Sequence, residues 1–262
     1  MSVDLTTPVV VLCGGLGTRL REETEVRPKP MVEIGGSPIL IHIMKTYAHH
    51  GFKNFILCLG YKGDSIKQFF YHFTMINNDF TIDLSNSSIE IHDTEGSLDW
   101  NVSLVDTGAE ASTGTRLKRI ENLIKSENFM VTYGDGVIDL NIRHLVEFHQ
   151  SHGQIGTVTG VSPPSYYGEL FIHDGVVRSF KEKPSKSSSQ INGGYFVFKT
   201  DFFKYLENDD QCVLEREPLN RLSKDGQLMV YNHTGFWQCM DTPRDMLFLR
   251  ELWDSNKAPW KV

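Results

Sequence analysis

The chain has 262 residues and a formal net charge of −7, with 26 basic side chains (Lys and Arg) against 33 acidic ones. A chain of this length can bury a substantial core, which excludes a small fold that depends on disulfides or a structural metal. The acidic balance argues against nonspecific binding to nucleic acid or to anionic membranes, because both select for basic surfaces. Any anionic substrate must therefore be held by a few placed cations.

No apolar run in the sequence approaches a membrane span. The longest runs, at residues 9–13 and 55–59, are about a quarter of the roughly 20 residues that a membrane helix needs. The N-terminus has no basic segment followed by a hydrophobic stretch, so we expect a cytoplasmic protein without a signal peptide. The four cysteines, at positions 13, 58, 212 and 239, have no C-x-x-C spacing and are expected to be reduced.

The predicted elements of the first half alternate between short apolar strands and helices. A buried strand at 9–13 is followed by a glycine turn, a charged loop and a helix that starts at Ser37-Pro38 and stops at Gly51. The next elements are strands at 55–59, 129–133 and 155–161 and helices at 63–73, 113–125 and 141–152. This alternation indicates parallel strands joined by right-handed crossovers, as in an α/β sheet.

Two regions have a different pattern. Residues 80–84, 88–92 and 101–105 alternate with period two, which is typical of edge or hairpin strands. Towards the C-terminus we predict an antiparallel extension with strands at 168–172, 176–182 and 194–199, and helices at 201–207, 213–224 and 242–253. No linker-like stretch divides the chain, so we expect one domain, residues 1–262, with a mixed and mostly parallel sheet flanked by helices.

A glycine-rich turn, Gly14-Gly15-Leu16-Gly17, follows the first buried strand. Such turns bring backbone N–H groups close to phosphate. Leu20 replaces the third glycine of the dinucleotide fingerprint, and Arg19 stands where the Gly-Lys of a Walker A loop would begin, so both motifs are disfavoured. Arg19 and Lys29, the latter between two prolines, instead place two cations near the turn. The combination predicts a phosphate site, although a turn with solvated charges is the simpler alternative.

Two aspartates follow apolar stretches. Asp135 lies between two glycines just beyond the strand at 129–133, and Asp241 follows residues 236–240 just before a predicted helix. Carboxylates at such positions, together with substrate phosphates, provide the oxygen ligands that Mg²⁺ prefers. Asp is also a common turn residue or helix cap, and this interpretation stays open for both.

The glycine turn together with Arg27-Pro28-Lys29-Pro30-Met31 resembles the sugar nucleotidyltransferases, which couple a nucleoside triphosphate to a sugar 1-phosphate. Longer strings are similar to the branch of that family that uses CTP and glucose 1-phosphate. These strings are residues 29–36, 60–63, 104–108, 114–119, 133–136, 182–184, 191–194, 235–238 and 240–242. The resemblance covers nearly the whole chain, in order.

The resemblance implies a Rossmann-like, three-layer nucleotidyltransferase fold. It also implies Mg²⁺ as the cofactor, CTP and a sugar 1-phosphate as substrates, and CDP-glucose and pyrophosphate as products. Family members usually form homo-oligomers, often hexamers, and the strands at 80–105 are the expected contact. Neither a nucleic acid nor a membrane is expected as a partner.

The resemblance also implies roles for individual residues. The catalytic set is Arg19, Lys29, Asp135 and Lys183, and the metal ligands are Asp135 and Asp241. The substrate-binding set is Gly14, Gly15, Leu16, Gly17, Thr18, Thr107, Gly108, Arg116, Gly134, Glu182, Asn192 and Gly193. Within these sets, Lys183 would hold the sugar phosphate, while Glu182 and Asn192 would contact the sugar hydroxyls. Thr107 and Gly108 would lie near the base.

Arg116 belongs to a basic, glycine-hinged segment at a predicted helix start, residues 113–119. A helix N-terminus can bind phosphate, so Arg116 would meet a phosphate, within its own subunit or across a subunit boundary. A solvated helix start is the alternative.

Three functional alternatives stay open. The first is the same chemistry with another base or sugar, because backbone groups can recognise cytosine and only the resemblance points to it. The second is a glycosyltransferase, although Asp135-Gly136-Val137 supplies only half of a D-x-D metal motif. The third is a catalytically silent subunit that binds nucleotide sugars. The sequence shows no Ser-His-Asp or Cys-His nucleophile arrangement, which favours direct displacement.

The sequence departs from the family pattern at three positions. Cys13, Thr115 and Cys239 stand where alanine, glycine and proline respectively are common. None of these departures removes a charged side chain, but Cys239 directly precedes the Met240-Asp241 pair and could loosen the backbone that aims Asp241.

Overall fold

The computed structural model describes residues 3–92, 98–163, 167–182 and 189–262. The strands in these ranges are β1 (Val9–Leu12), β2 (Glu33–Ile34), β3 (Ser37–Pro38), β4 (Asn54–Leu59), β5 (Phe80–Asp83), β6 (Ser88–Ile91), β7 (Asn101–Asp106), β8 (Asn128–Tyr133), β9 (Gly136–Ile138), β10 (Gly156–Val161), β11 (Glu169–His173), β12 (Val176–Lys181), β13 (Ile191–Lys199), β14 (Leu228–Asn232) and β15 (Trp237–Cys239). The α-helices are α1 (Arg21–Thr24), α2 (Ile39–His49), α3 (Gly63–Tyr71), α4 (Phe73–Asn77), α5 (Thr113–Arg119), α6 (Ile142–His152), α7 (Glu217–Lys224) and α8 (Pro243–Asp254). Short 3₁₀ helices occupy Thr18–Leu20, Lys29–Met31, Glu121–Leu123 and Thr200–Tyr205.

A seven-stranded sheet, ordered β14-β10-β13-β8-β1-β4-β7, forms the centre of the fold. Strands β8, β1, β4 and β7 pair in parallel, as do β10 and β14. Within the described residues, β13 is the one strand of this sheet that runs antiparallel to both of its neighbours, β10 and β8. The predicted mixed and mostly parallel sheet is therefore confirmed, and the β11–β12 hairpin forms the small antiparallel extension. The third strand predicted for that extension, at 194–199, is instead part of β13 in the central sheet, where it pairs with β10 and β8.

The sheet separates two apolar cores because its strands alternate their side chains between the two faces. On β1, Val9 and Val11 belong to one core cluster, whereas Val10 and Leu12 belong to the other. Helices α2, α6 and α8 contribute to the first cluster, and α5 and α7 contribute to the second. This arrangement gives the three layers that the resemblance implies.

Three predicted helix boundaries are wrong. Ser37 and Pro38 do not start helix α2, because they pair with Glu33 and Ile34 in a short hairpin, and the helix begins at Ile39. The turn of that hairpin is Gly35-Gly36, with φ angles of 58° and 76°, as two-residue hairpin turns require. Helix α5 ends at Arg119 instead of the predicted residue 125, and α7 begins at Glu217 instead of the predicted residue 213.

Among the helices of the described residues, none combines the length and the apolar character that a bilayer span requires. All four cysteines, Cys13, Cys58, Cys212 and Cys239, are free. This agrees with the reduced state predicted from their spacing.

Helix α6 carries three histidines, of which His149 is buried. Its Nδ1 lies 2.9 Å from the Thr157 hydroxyl and its Nε2 lies 3.2 Å from the Asn128 side-chain oxygen. Burial, aided by the charges of His152 and Lys199, lowers the pKa of His149 to about 3.

We expect this buried imidazole to make the fold sensitive to mild acid. Below the ordinary histidine pKa of about 6.5, the unfolded chain binds a proton that the folded chain does not. Stability is therefore lost as the pH falls from 6.5 towards 3, by about 2 kcal/mol between pH 6.5 and pH 5. Urea unfolding of His149→Gln should show a smaller loss, while a control at the exposed His144 should keep the full loss. The remaining loss in His149→Gln comes from His42, His50 and His152, whose pKa values burial also lowers. Equal pH slopes in the His149 variant and the wild type would contradict the prediction.

Candidate active site

A cavity of about 680 Å³ opens beside the carboxyl ends of β1 and β8. The carboxyl edge of a parallel sheet is the common location of ligand sites in α/β folds. The predicted site residues that line the cavity are Gly14, Gly15, Leu16, Gly17, Thr18, Arg19, Lys29, Arg116, Gly134, Asp135, Asn192, Gly193 and Asp241.

The glycine turn follows β1 directly, and its conformation depends on glycine at two positions. Gly17 has φ 63° and its carbonyl accepts a hydrogen bond from the Thr24 hydroxyl at 3.1 Å. A side chain at Gly14 would overlap the guanidinium of Arg116. The turn is therefore held in a conformation that few other residues would allow.

A short β-ribbon brings the two predicted metal ligands together across 106 positions of sequence. Strands β9 and β15 pair antiparallel with Gly136 opposite Cys239, and the Met240 N–H donates to the Asp135 carbonyl at 2.8 Å. Asp135 precedes β9 and Asp241 follows β15, so the ribbon fixes their separation. The capping box of Thr242 and Asp245 then starts helix α8 immediately after Asp241.

Lys29 lies between the two carboxylates. Its Nζ is 2.5 Å from Asp135 Oδ2 and 2.5 Å from Asp241 Oδ1, and its side chain is only 11% exposed. Arg19, which is 73% exposed, donates to the other oxygen of Asp241 at 2.9 Å. The structure thus brings two cations and two anions together in the lining of the cavity, and their predicted roles at the phosphate and metal sites stay predictions.

The contacts of this cluster keep Lys29 and Asp241 charged. Burial by itself would lower the pKa of Lys29, but the charge of Asp135 and the hydrogen bonds to both carboxylates outweigh it, and the pKa is raised. Burial would raise the pKa of Asp241, but the hydrogen bond and charge of Lys29 and the charge of Arg19 hold it below its usual value.

The donor set fits a divalent cation that prefers oxygen. Ligand atoms of Asp135, Asp241 and Cys239 all lie within 4.8 Å of one another. Burial and the charge of Asp135 raise the pKa of the Cys239 thiol, which therefore stays protonated and is a poor ligand. Two carboxylates beside an open cavity suit Mg²⁺, which also takes phosphate oxygens and waters.

Arg116 is buried, which was not expected of a residue at a solvated or phosphate-binding helix start. Its guanidinium donates to five oxygens at the ends of β1, β4 and β7. The acceptors are the carbonyls of Gly14, Leu59, Gly108 and Ala109 and the hydroxyl of Thr107. The predicted phosphate contact of Arg116 stays a prediction, and its described donors stabilise the loops that form the cavity wall.

We expect Arg116→Lys to lower the free energy of unfolding by about 2 kcal/mol, because a lysine has three donors on a single atom and cannot reach all of these acceptors. Urea unfolding measures this loss, with the exposed Arg21→Lys as the control. An unchanged free energy of unfolding with a raised KM for CTP would instead support a phosphate contact.

Thr107 and Gly108 do not reach the wall of the cavity. Thr107 is 1% exposed, and its hydroxyl donates to the Leu59 carbonyl at 2.7 Å while accepting from Arg116. Residues 109–113 line the cavity instead. The Thr107 side chain is therefore turned away from the cavity in this conformation, and the predicted position of Thr107 and Gly108 near the base stays a prediction.

Two of the predicted sugar-binding residues line the cavity. Asn192 and Gly193 line the cavity, whereas Glu182 lies just beyond β12 and is not among the described lining residues. Lys183 lies outside the described residues. Its role stays a prediction.

Sequence reasoning missed several residues of the cavity wall. Tyr133 and Glu215 line it, and the Trp237 indole donates to the Gly193 carbonyl at 2.7 Å. Strands β9 and β15 were also missed, because each has three residues and neither shows a measurable alternation. The resemblance of residues 235–238 to the family was the one signal in the sequence for Trp237. The contact between Trp237 and Gly193 is visible only in the structure.

The mostly parallel sheet, the glycine turn and the charged cavity are the features of a nucleotidyl transferase. The chain belongs to the nucleotidyl transferase family, whose sequence profile matches residues 8–247. It is 50% identical over 254 residues to the glucose-1-phosphate cytidylyltransferase of Salmonella typhimurium, which covers 97% of this chain and 98% of that protein.

Two further comparisons agree. A Bacillus subtilis protein named probable glucose-1-phosphate cytidylyltransferase is 42% identical over 253 residues, covering 97% of this chain and 98% of that protein. The crystal structure of HddC from Yersinia pseudotuberculosis superposes with a TM-score of 0.69 at 25% identity, covering 94% of this chain and 99% of that chain. The predicted resemblance to the sugar nucleotidyltransferases and the predicted fold are therefore confirmed.

Proposed function

We propose that this chain is a cytidylyltransferase that converts CTP and α-D-glucose 1-phosphate into CDP-glucose and pyrophosphate. The single observation that carries the choice of base and sugar is the 50% identity over 97% of the chain to a glucose-1-phosphate cytidylyltransferase. The geometry of Lys29, Asp135 and Asp241 supports the class of reaction.

In the proposed reaction a phosphate oxygen of glucose 1-phosphate attacks the α-phosphorus of CTP, and the bond to the β-phosphate breaks so that pyrophosphate leaves. Both partners are negatively charged, so catalysis consists mainly of positioning and charge neutralisation. Backbone N–H groups of Gly14, Gly15 and Gly17 and the side chains of Arg19 and Lys29 would orient the triphosphate. Gly134 lets the chain after β8 pack closely against Pro30, because a side chain there would overlap Pro30 and crowd the Leu12 carbonyl.

Asp135 and Asp241 would hold the metal. Bound Mg²⁺ would supply positive charge to the reacting phosphates. In the conformation described here Lys29 already neutralises both carboxylates. With a metal held by Asp135 and Asp241, the Lys29 ammonium would be available to interact with a phosphate.

The sugar phosphate would lie near Asn192 and Gly193, which also line the cavity. By resemblance, Lys183 would hold its phosphate, and Glu182 and Asn192 its hydroxyls. Trp237 supports this wall by fixing the Gly193 carbonyl.

We further propose a homo-oligomer, such as a hexamer, with the β5–β6 hairpin as a contact. Phe80, Ile82 and Ile89 share one face of this hairpin and are each at least 40% exposed. A monomer by light scattering at assay concentration would contradict this. We also propose that residues 1–262 form one domain, and that the protein is cytoplasmic, where its substrate CTP is made.

A pyrophosphate-release assay across CTP, UTP, dTTP, ATP and GTP, each with glucose, mannose and heptose 1-phosphates, tests the proposal. We expect release to be fastest with CTP and glucose 1-phosphate and to require Mg²⁺. Faster release with another pair would assign a different base or sugar. No release with any pair would favour a silent binding subunit.

A further inference from the structure

A chain of hydrogen bonds along the cavity wall connects four segments that are distant in sequence. The Tyr133 hydroxyl, at the end of β8, donates to one oxygen of the Glu215 carboxylate. The Thr113 hydroxyl, at the start of α5, donates to the other oxygen at 2.7 Å. On the opposite side, the Asn192 side-chain amide donates to the Tyr133 oxygen at 3.3 Å. All four residues line the cavity.

These bonds fix the orientation of the Asn192 amide. Its Nδ2 is bonded to Tyr133, and its Oδ1 accepts the backbone N–H of Gly194 at 2.8 Å. An amide has two N–H donors, so one bond to Tyr133 leaves the second for a ligand. Without the Tyr133 hydroxyl, the bond to Gly194 would be the remaining described hydrogen bond that holds the orientation of the Asn192 amide.

Tyr133 also packs against the backbone of the same turn. Gly194 has φ 79°, and a side chain there would overlap the Tyr133 ring. The ring lies edge-on to Phe196, with centroids 6.1 Å apart. Burial and the neighbouring charge of Glu215 raise the pKa of Tyr133, so its hydroxyl remains a donor at neutral pH.

We propose that Tyr133 and Glu215 are positioning residues that set the affinity for the sugar 1-phosphate by holding the Asn192 amide in place. The inference rests on the proposed function, in which Asn192 contacts a sugar hydroxyl. Glu215 orients the Tyr133 hydroxyl, Thr113 orients Glu215, and Tyr133 in turn orients Asn192. The described hydrogen bonds of Tyr133 and Glu215 do not involve Lys29, Asp135 or Asp241, so we expect their main effect on the affinity for the sugar 1-phosphate.

Steady-state kinetics of Tyr133→Phe provide the test. Loss of one orienting hydrogen bond should raise the KM for glucose 1-phosphate about fivefold, while kcat and the KM for CTP stay within about twofold of the wild type. Glu215→Ala should reproduce this effect. Glu215→Gln, which keeps an acceptor oxygen for Tyr133, should restore most of the affinity. The double variant Tyr133→Phe with Asn192→Ala should be no weaker than Asn192→Ala alone.

Tyr205→Phe is the matched control, because Tyr205 donates to Asp225 at 2.8 Å in a similar tyrosine–carboxylate pair outside the cavity. Three results would overturn the proposal: an unchanged KM for glucose 1-phosphate in Tyr133→Phe, a loss of kcat and both affinities together with a lower free energy of unfolding, or independent effects of Tyr133→Phe and Asn192→Ala.

Failure of the proposed function is distinguishable from failure of the positioning role. If the wild type releases no pyrophosphate from CTP and glucose 1-phosphate, the proposed function fails. Calorimetric titration of glucose 1-phosphate into each variant then decides the positioning role. The wild type and Glu215→Gln should bind glucose 1-phosphate more tightly than Tyr133→Phe and Glu215→Ala. If the wild type is active and the variants keep its KM, only the positioning role fails.

Discussion

Asp241→Asn is expected to lower kcat by about a hundredfold or more, by analogy with the loss of one preorganised electrostatic group in other active sites. Asn keeps the size of the side chain but removes the charge that would hold the metal and that interacts with Lys29 and Arg19. Asp135→Asn should have a comparable effect. Pyrophosphate release over a Mg²⁺ series, at saturating CTP and glucose 1-phosphate, measures the loss.

The control is Asp201→Asn, which disrupts an exposed ion pair with Lys204 and should leave kcat unchanged. The low pKa of Asp241 keeps its carboxylate charged above pH 5, so the difference between variant and wild type should persist from pH 6 to pH 8. Near-normal turnover of Asp241→Asn at saturating Mg²⁺ would exclude the metal assignment.

Lys29→Met is expected to have two opposite effects. Without the ammonium that would orient the triphosphate, kcat should fall by about a hundredfold or more. The affinity for Mg²⁺ alone should rise, because Lys29 no longer competes for Asp135 and Asp241. The metal-free variant should also be less stable by about 3 kcal/mol, since two part-buried carboxylates would face each other without a cation.

Calorimetric titration with Mg²⁺ and urea unfolding with and without Mg²⁺ measure these effects. Lys53→Met is the matched control, because it removes an ammonium that lies 2.5 Å from Asp99 on the surface. Weaker Mg²⁺ binding by Lys29→Met than by the wild type would show that Lys29 does not compete with Mg²⁺ for the two carboxylates.

Much of the fold is predictable because its strands are strongly apolar. Strands β1, β4 and β8 are nearly uninterrupted apolar runs, as strands covered on both faces are expected to be. The glycine turn and Lys29 were predicted from types of residue whose chemistry suits phosphate. For these elements, local sequence and tertiary position lead to the same structure.

The remaining features depend on contacts that no local pattern encodes. The β9–β15 ribbon places Asp135 beside Asp241, yet each strand is three residues long. Arg116 has the sequence context of a solvated helix start, and its burial follows from five acceptors on loops that only the sheet brings together. Tyr133 and Glu215 are 82 positions apart, so their hydrogen bond could not be inferred from the sequence.

The most direct test of the central claim is ³¹P nuclear magnetic resonance of CTP and glucose 1-phosphate incubated with the purified protein and Mg²⁺. We predict that both substrate signals fall together while the paired resonances of a nucleoside diphosphate sugar and the signal of pyrophosphate appear in equal amounts. Hydrolysis of CTP with glucose 1-phosphate unchanged, or no conversion at all, would contradict the assignment of this cavity to nucleotidyl transfer.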